Sequence, residues 1–160
     1  FVPAKPKAST SGDITIHGVG NLLTHMAGCC QPVPGDQVMG VITQGRGVTV
    51  HRADCEKLLA MQGDDPNRVI EVTWGEADRI TYPVDVFLRA WDRQGLLKDV
   101  IAVLANEKVN VTAVHTQSHQ DDNTATMLLT LEIATLGNLG KVLAKMDQLK
   151  GVLEVRRYKK

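Results

Sequence analysis

The first half of this chain concentrates all three of its cysteines, together with a histidine, in one short stretch. Cys29 and Cys30 are adjacent, and a Gly-rich segment separates them from His51 and Cys55. Thiolate sulfur and neutral imidazole are the ligands of tetrahedral zinc sites, and a small module can fold around such an ion. The sequence therefore predicts a structural Zn²⁺ site formed by these four side chains.

Other uses of the cysteines have to be weighed against a metal site. An odd number leaves one thiol unpaired, and neighbouring cysteines bridge only with strain, so a disulfide scaffold is disfavoured. Three alternatives to a metal site remain open: buried inert cysteines, a reversible thiol redox switch and a catalytic Cys/His pair. The catalytic pair is considered because Cys55 is expected at the start of a helix, with Asp54 as N-cap, where the thiolate form is favoured. His17 and His25 compete as fourth ligand, but His51 is preferred because it shares a strand-to-helix turn with Cys55.

Length and charge limit the function classes. A chain of 160 residues holds one medium domain or two small ones, and small domains gain most from a metal. Basic and acidic residues balance at 18 each, so a nucleic-acid surface would have to be local. We expect no membrane partner, because the sequence has no apolar run of spanning length and no signal peptide. Unpaired thiols beside a metal indicate a reducing compartment, so we expect the protein to be cytoplasmic. The absence of an initiating methionine is expected of a piece of a longer protein.

The first half predicts a small mixed β/α module over residues 13–75, preceded by a Pro-, Lys- and Ser-containing linker over 1–12. Apolar periodicity and turn residues predict its elements. They are a strand at 14–17, about two helical turns within 21–27, a hairpin of 38–43 with 48–51, a helix at 55–62 and a strand at 69–74.

The second half, residues 79–160, gives the clearer fold signal. Period-two apolar patterns predict strands at 83–91, at 109–113, at 125–133 and at 152–158, and helical spacing predicts amphipathic helices at 96–107 and about 139–149. The order is βαββαβ. We therefore predict an α+β chain in which the second half is ferredoxin-like, with two helices on one face of a four-stranded antiparallel sheet.

Two arginines are candidate RNA contacts. Arg46 stands between two glycines at the expected hairpin tip, and Arg52 lies beside the metal site. Guanidinium groups in these places could clamp phosphate or RNA backbone. That they are solvated surface charges is an equally open interpretation.

The ferredoxin-like half suggests a small-ligand site rather than base stacking. The expected strand at 124–131 offers no aromatic side chain, which disfavours RNA recognition by stacking. Gly95 and Leu96 lie in the predicted junction between a strand and a helix, where free backbone N–H groups could bind the carboxylate of an amino acid. The side-chain amide of Asn110 is the second predicted contact. The alternative is that Gly95 is only a turn residue and Asn110 an edge polar group.

The sequence motifs resemble a known protein family. CCQPVPGD at 29–36 and GVITQGRGVTVHRADC at 40–55 resemble the conserved-cysteine, or zinc-finger, module of the long RelA/SpoT proteins, the (p)ppGpp synthetases and hydrolases. DRQGLL at 92–97, within the βαββαβ order, resembles the ACT domain that follows this module in the family. The Gly-Arg-Gly turn and the HRADC ending are closer to the RelA-like, ribosome-dependent branch.

The resemblance implies a regulatory role in the stringent response. It implies that the catalytic domains lie upstream and that this region, not itself an enzyme, controls GTP pyrophosphokinase activity. It also implies binding to the ribosome, near ribosomal RNA and an uncharged tRNA in the A site, and possible formation of a homodimer. An amino-acid-sensing ACT module and a thiol redox switch of the same enzyme are the alternatives.

Overall fold

The computed structural model describes residues 14–16, 23–43, 47–74 and 81–159, and the chain divides into two units between residues 80 and 81. The predicted linker over 1–12, His17 and Arg46 lie outside the described residues. Within the described part of the chain, no helix is long and apolar enough to cross a membrane.

In its described residues, the first unit has a five-stranded sheet and one α-helix. Its elements in chain order are β1 (Ile14–Ile16), β2 (Leu23–Met26), β3 (Val38–Thr43), β4 (Gly47–Arg52), α1 (Glu56–Asp64), a short 3₁₀ helix (Pro66–Arg68) and β5 (Val69–Trp74). The strand order is β1-β5-β3-β4-β2, and all neighbours are antiparallel except β2 and β4. The predicted hairpin, the helix after Cys55 and the strand that ends at Trp74 are confirmed.

The helix predicted within 21–27 is wrong. Residues 23–26 form β2, which runs parallel to β4 with Thr24 opposite Val48 and Met26 opposite Val50. Thr24 is buried while His25 is exposed, as expected for a strand that alternates between two faces. The tertiary ladder with β4 outweighs the weak helical preference of so short a segment.

Side chains that alternate along β3 supply two apolar clusters, one on each face of this sheet. The first contains Val38, Val48, Val50 and Val72. Gly40 lies among them, where a Cβ atom would stand 2.6 Å from Val48 Cγ1 and 2.9 Å from Val72 Cγ1. Only glycine therefore allows the side chains of Val48 on β4 and Val72 on β5 to lie this close to the backbone of β3. The second cluster consists of Ala27, Cys30, Val41, Cys55 and Leu58, so two of the predicted ligands belong to a core.

The second unit has the predicted ferredoxin-like order. Its elements are β6 (Tyr82–Trp91), α2 (Leu96–Asn106), β7 (Asn110–His119), β8 (Thr124–Ile133), α3 (Leu136–Asp147) and β9 (Val152–Arg157). The antiparallel sheet has the order β7-β8-β6-β9. Alternate residues of β6 and β8 are buried, together with one side of each helix. The α+β fold class is thus confirmed.

One strand of this sheet departs from the buried pattern. β7 stands at the edge, and none of its ten residues is buried. Its sequence, NVTAVHTQSH, contains no charged residue and no proline, the groups that usually protect an exposed edge from pairing.

Candidate metal centre

Three segments of the first unit bring the predicted ligands together. Cys29 and Cys30 occupy the turn after β2, His51 lies near the end of β4, and Cys55 precedes α1. Their ligand atoms all lie within 4.8 Å of one another. Cys30, His51 and Cys55 are buried and Cys29 is half-buried.

Backbone hydrogen bonds shape the turn that carries the cysteine pair. The Ala27 N–H donates to the Val50 carbonyl at 2.9 Å, which ties the turn to β4. The Gln31 N–H donates to the Ala27 carbonyl at 3.0 Å and closes the turn, with Gln31 at a φ of 48°. The two cysteines are therefore held on a short loop beside the strand that supplies the histidine.

The start of α1 places the third thiol. The Cys55 N–H donates to the Arg52 carbonyl at 3.0 Å, and the Cys55 carbonyl accepts from the Leu59 N–H at 3.0 Å. Cys55 is itself the N-cap, with no side-chain capping bond. The prediction that Asp54 caps this helix is wrong, because its carboxylate pairs with the Arg52 guanidinium at 2.9 Å.

Three of the distances within the group agree with a tetrahedral ion. Cys29 Sγ lies 3.6 Å from His51 Nδ1 and 3.7 Å from Cys55 Sγ, and Cys30 Sγ lies 3.8 Å from His51 Nδ1. Zinc bonds of about 2.3 Å to sulfur and about 2.0 Å to nitrogen, at tetrahedral angles, place sulfur atoms about 3.8 Å apart and sulfur about 3.5 Å from nitrogen. These residues could hold a metal ion, and the ligand set of three thiols and one imidazole suits zinc.

Burial makes two of the thiols hard to ionise without a cation. Burial, together with the neighbouring thiols, raises the pKa of Cys30 to about 12, although the Arg52 N–H donates to its sulfur at 3.3 Å. Burial and the adjacent Cys55 likewise raise the pKa of Cys29. A divalent cation would reverse this preference, because it binds the thiolate form.

The other two groups are already biased toward their metal-binding forms. Burial opposes ionisation of Cys55, but the backbone N–H groups of Leu58 and Lys57 at the helix start, together with the other thiols, lower its pKa. Burial and the positive charge of Lys57 lower the pKa of His51, which favours neutral imidazole.

The alternatives to this ligand set receive less support from the geometry. His25 is exposed on β2 and does not belong to the group, so His51 is the histidine that meets the cysteines among the described residues. All three cysteines are free, and the 3.7 Å between the sulfurs of Cys29 and Cys55 is far longer than a disulfide bond of about 2.0 Å.

The side chain of Arg52 is mostly buried and already paired, unlike an arginine that is free to bind phosphate. Its side chain is only 13% exposed, and its guanidinium is bonded to Asp54. Its backbone N–H supports the Cys30 sulfur. This residue therefore has a structural role next to the candidate metal centre, a role that sequence spacing did not reveal.

The three predicted amino-acid contacts divide between two cavities. Gly95 has a φ of +86° at the start of α2 and, with Leu96, lines a cavity of about 320 Å³ between α2, β7 and β8. Asn110 lines another cavity, of about 470 Å³, and its side-chain amide donates to Glu132 at 2.8 Å. Arg93, for which the sequence predicted no role, borders the first cavity and donates hydrogen bonds to the Asp99 carboxylate and the Lys150 carbonyl.

Aromatic side chains that the sequence analysis overlooked lie on the sheet face opposite the buried one. The predicted lack of aromatics holds for residues 124–131, but β6 directs Phe87 and Trp91 to this face. The Arg156 guanidinium lies 4.6 Å from the centre of the Phe87 ring, and Trp91 is 49% exposed. The alternation of residues 83–91 was the signal that could have located both rings.

Comparisons with known proteins identify both units. The family model described as the RelA/SpoT RIS domain matches residues 14–75, and the ACT domain model matches residues 79–157. A solved structure of the ACT domain from GTP pyrophosphokinase of Chlorobium tepidum is similar at 17% identity and a TM-score of 0.44, covering 49% of this chain and 99% of that one.

Curated relatives match most of the chain. The GTP pyrophosphokinase of Escherichia coli strain K12 is 46% identical over 94% of this chain and 20% of that protein. The GTP pyrophosphokinase of Haemophilus influenzae is 42% identical over 92% of this chain and 20% of its own length. The bifunctional (p)ppGpp synthase/hydrolase RelA of Mycobacterium tuberculosis is 35% identical over 98% of this chain and 21% of its own length. The chain thus spans about a fifth of the length of these relatives.

Proposed function

This chain belongs to the RelA/SpoT family, being homologous to the C-terminal region of its GTP pyrophosphokinases, and from that premise we propose that it docks the parent enzyme on the ribosome. The docked region responds to an uncharged tRNA in the A site and controls (p)ppGpp synthesis by the upstream catalytic domains. The observation that carries the proposal is the four-ligand group, whose zinc-like spacing would fix the surface of the first unit.

The metal has a structural part in this proposal. Cys29, Cys30, His51 and Cys55 would hold a Zn²⁺ ion, which joins three separate segments into one rigid surface when bound. Four protein ligands would complete a tetrahedral zinc site, so no coordination position would stay open for a reacting molecule. A structural ion rather than a catalytic one is therefore the role that fits.

Contact with ribosomal RNA needs exposed positive charge, and Arg46, in the segment that joins β3 to β4, is the first candidate. We expect the Arg46→Glu chain to co-sediment with ribosomes less than the unchanged chain, with a difference that shrinks as salt rises. Lys141→Glu, an exposed change on α3, is the matched charge control. Equal loss in both variants, or in neither, would remove Arg46 from the proposal.

Arg52 can be tested through its ion pair. Asp54→Asn frees the guanidinium without altering the arginine, so it should strengthen ribosome binding if Arg52 contacts RNA. Arg52→Gln should weaken it. If the two variants change binding in the same direction and both lose metal, the ion pair of Arg52 with Asp54 supports the candidate metal centre, and Arg52 does not contact RNA.

Amino-acid sensing is a second candidate, favoured by the cavity beside Gly95 and Leu96. Calorimetry with a panel of amino acids should then show saturable heat that is lost on Gly95→Val. Valine is strained at a φ of +86°, so Thr116→Trp, which fills the same cavity from β7, serves as a second variant. No heat from any amino acid would exclude this candidate.

Self-association is the third element of the proposal. The unprotected edge of β7 could pair with the same strand of a second copy and extend the sheet. Exposed apolar side chains at Leu97, Ile101 and Val114 would be covered in the same contact.

A further inference from the structure

One thiol of the candidate metal centre is more accessible than the other two. Cys29 is half-buried, whereas Cys30 is 4% exposed and Cys55 is 6% exposed. The residue before Cys29 is an exposed glycine, and a Cβ atom added to Gly28 would have no described atom within 4 Å other than those of its chain neighbours. Partial exposure and open space beside it make the Cys29 sulfur the first of the three that a small solute reaches.

The sulfur of Cys55 is placed to react with Cys29. The two Sγ atoms lie 3.7 Å apart, so a disulfide bond of about 2.0 Å requires them to approach by about 1.7 Å. Cys29 lies in the turn after β2, where a small backbone movement costs less than it does within a sheet. Cys30 is a poorer partner for Cys29, because a bridge between adjacent residues is strained and the Cys30 sulfur already accepts a hydrogen bond from the Arg52 N–H at 3.3 Å.

We propose that Cys29 is a modification site at which a hydroperoxide oxidises the candidate metal centre, and that Cys55 completes the reaction by forming a disulfide with it. The inference adds regulation to the proposed function, on which it rests for any effect on ribosome docking. The chemistry at the two sulfurs does not depend on docking. Metal binding and thiol oxidation are then two successive states of one centre.

The reaction consumes one molecule of hydrogen peroxide and two thiolates, the form in which a divalent cation binds cysteine. The Cys29 thiolate attacks one peroxide oxygen, the O–O bond breaks, and hydroxide leaves, so that Cys29 becomes a sulfenic acid. The Cys55 thiolate then attacks the Cys29 sulfur, forms the S–S bond and displaces a second hydroxide. Two electrons pass from the sulfurs to the peroxide, and the two hydroxide ions are its reduced product.

The disulfide leaves the centre unable to hold its ion. Cys30 and His51 remain as donors, and these are two of the four that a structural zinc site requires. The new bond joins the turn after β2 to the start of α1, while His51 on β4 is no longer joined to either segment through a metal. Reduction of the disulfide and fresh zinc reverse the change.

Treatment of the reduced, zinc-loaded chain with hydrogen peroxide tests the inference. A chromogenic chelator records the release of zinc, and the remaining thiols are alkylated before digestion. Trypsin cleaves after Arg46 and Arg52, so Cys55 lies on a different peptide from Cys29 and Cys30. We expect one zinc ion released for each cross-linked peptide pair, with the alkyl group on Cys30, and recovery of all three thiols after reduction.

A variant and a control separate the steps. Cys55→Ser removes the second thiol, so we expect the sulfenic acid on Cys29 to persist and to be trapped by dimedone. A chelator without peroxide should remove zinc from the unchanged chain and leave all three thiols free to be alkylated. The disulfide is mapped in the unchanged chain, so the inference stays open to refutation even if Cys55→Ser does not fold.

Any other product overturns the inference. A disulfide between Cys29 and Cys30 stays within one peptide, and a disulfide of Cys55 with Cys30 leaves the alkyl group on Cys29. Peroxide that releases zinc without loss of thiols, or that changes neither, also refutes it. Ribosome co-sedimentation is scored separately, so a reduced chain that does not sediment with ribosomes refutes the proposed function and not the mapped disulfide.

Discussion

At the scale of single residues, the thiols of the candidate metal centre should reveal metal binding through the protons that they release. The pKa of Cys29 is raised and that of Cys30 is raised to about 12, so both thiols are protonated at neutral pH without a cation. Zinc binds only the thiolates, so we expect the release of about two to three protons per ion and weaker affinity as pH falls. Calorimetric zinc titrations in buffers of different ionisation enthalpy measure this number, and heats independent of the buffer would contradict it.

Gly40 provides a second test at this scale, independent of metal. The methyl group of Gly40→Ala would overlap Val48 and Val72, so we expect a loss of about 1–3 kcal/mol in the free energy of unfolding. Gly63→Ala is the matched control, because it lies in α1 with nothing within 4 Å of the added carbon, and it should stabilise by about 0.5–1 kcal/mol. Urea unfolding of both variants gives the comparison; a neutral Gly40→Ala would show that the sheet can open at this point.

The sequence predicted that Cys29, Cys30, His51 and Cys55 would lie together, because thiols and an imidazole concentrated in one short stretch are the residue types of a zinc site. The pairing of Asp54 with Arg52 was not predictable in the same way. An aspartate before a helix is a good N-cap by local rules, and only the folded position of the arginine makes the ion pair available instead. Where a side chain has both a local and a tertiary hydrogen-bond partner available, the sequence alone does not predict which of the two it binds.

At the scale of elements, the edge strand β7 makes the sharpest prediction. If its unprotected edge mediates self-association, Val114→Lys should lower the dimer fraction, since a charge on an edge strand opposes pairing. Leu153→Lys places the same charge at a comparably exposed apolar residue on β9, at the opposite edge, and should have little effect. Sedimentation velocity over a range of concentrations measures both; a monomeric unchanged chain at every concentration would refute the proposed pairing.

Elements were predictable wherever their apolar period was long. The ten-residue strands β6 and β8 and both helices of the second unit were predicted from such patterns. β2, with four residues, was mistaken for a helix because its strand character comes from the parallel ladder with β4.

At the scale of the whole molecule, the two units should differ in their dependence on metal. The predicted ligands belong to the first unit alone, and the second unit has a core of its own. We therefore expect a chelator to lower the melting temperature of one calorimetric transition and leave the other unchanged. Cys30→Ser should reproduce the effect without chelator, and a uniform shift of the whole unfolding profile would contradict independent units.

Native mass spectrometry of the purified chain tests most directly whether a zinc ion organises the first unit. The account predicts a folded chain that carries the mass of one Zn²⁺, minus the protons of its ionised thiols. A metal-free mass with the narrow charge-state distribution of a fully folded chain would contradict it, and a loss of two hydrogens in place of the metal would indicate the thiol redox switch instead.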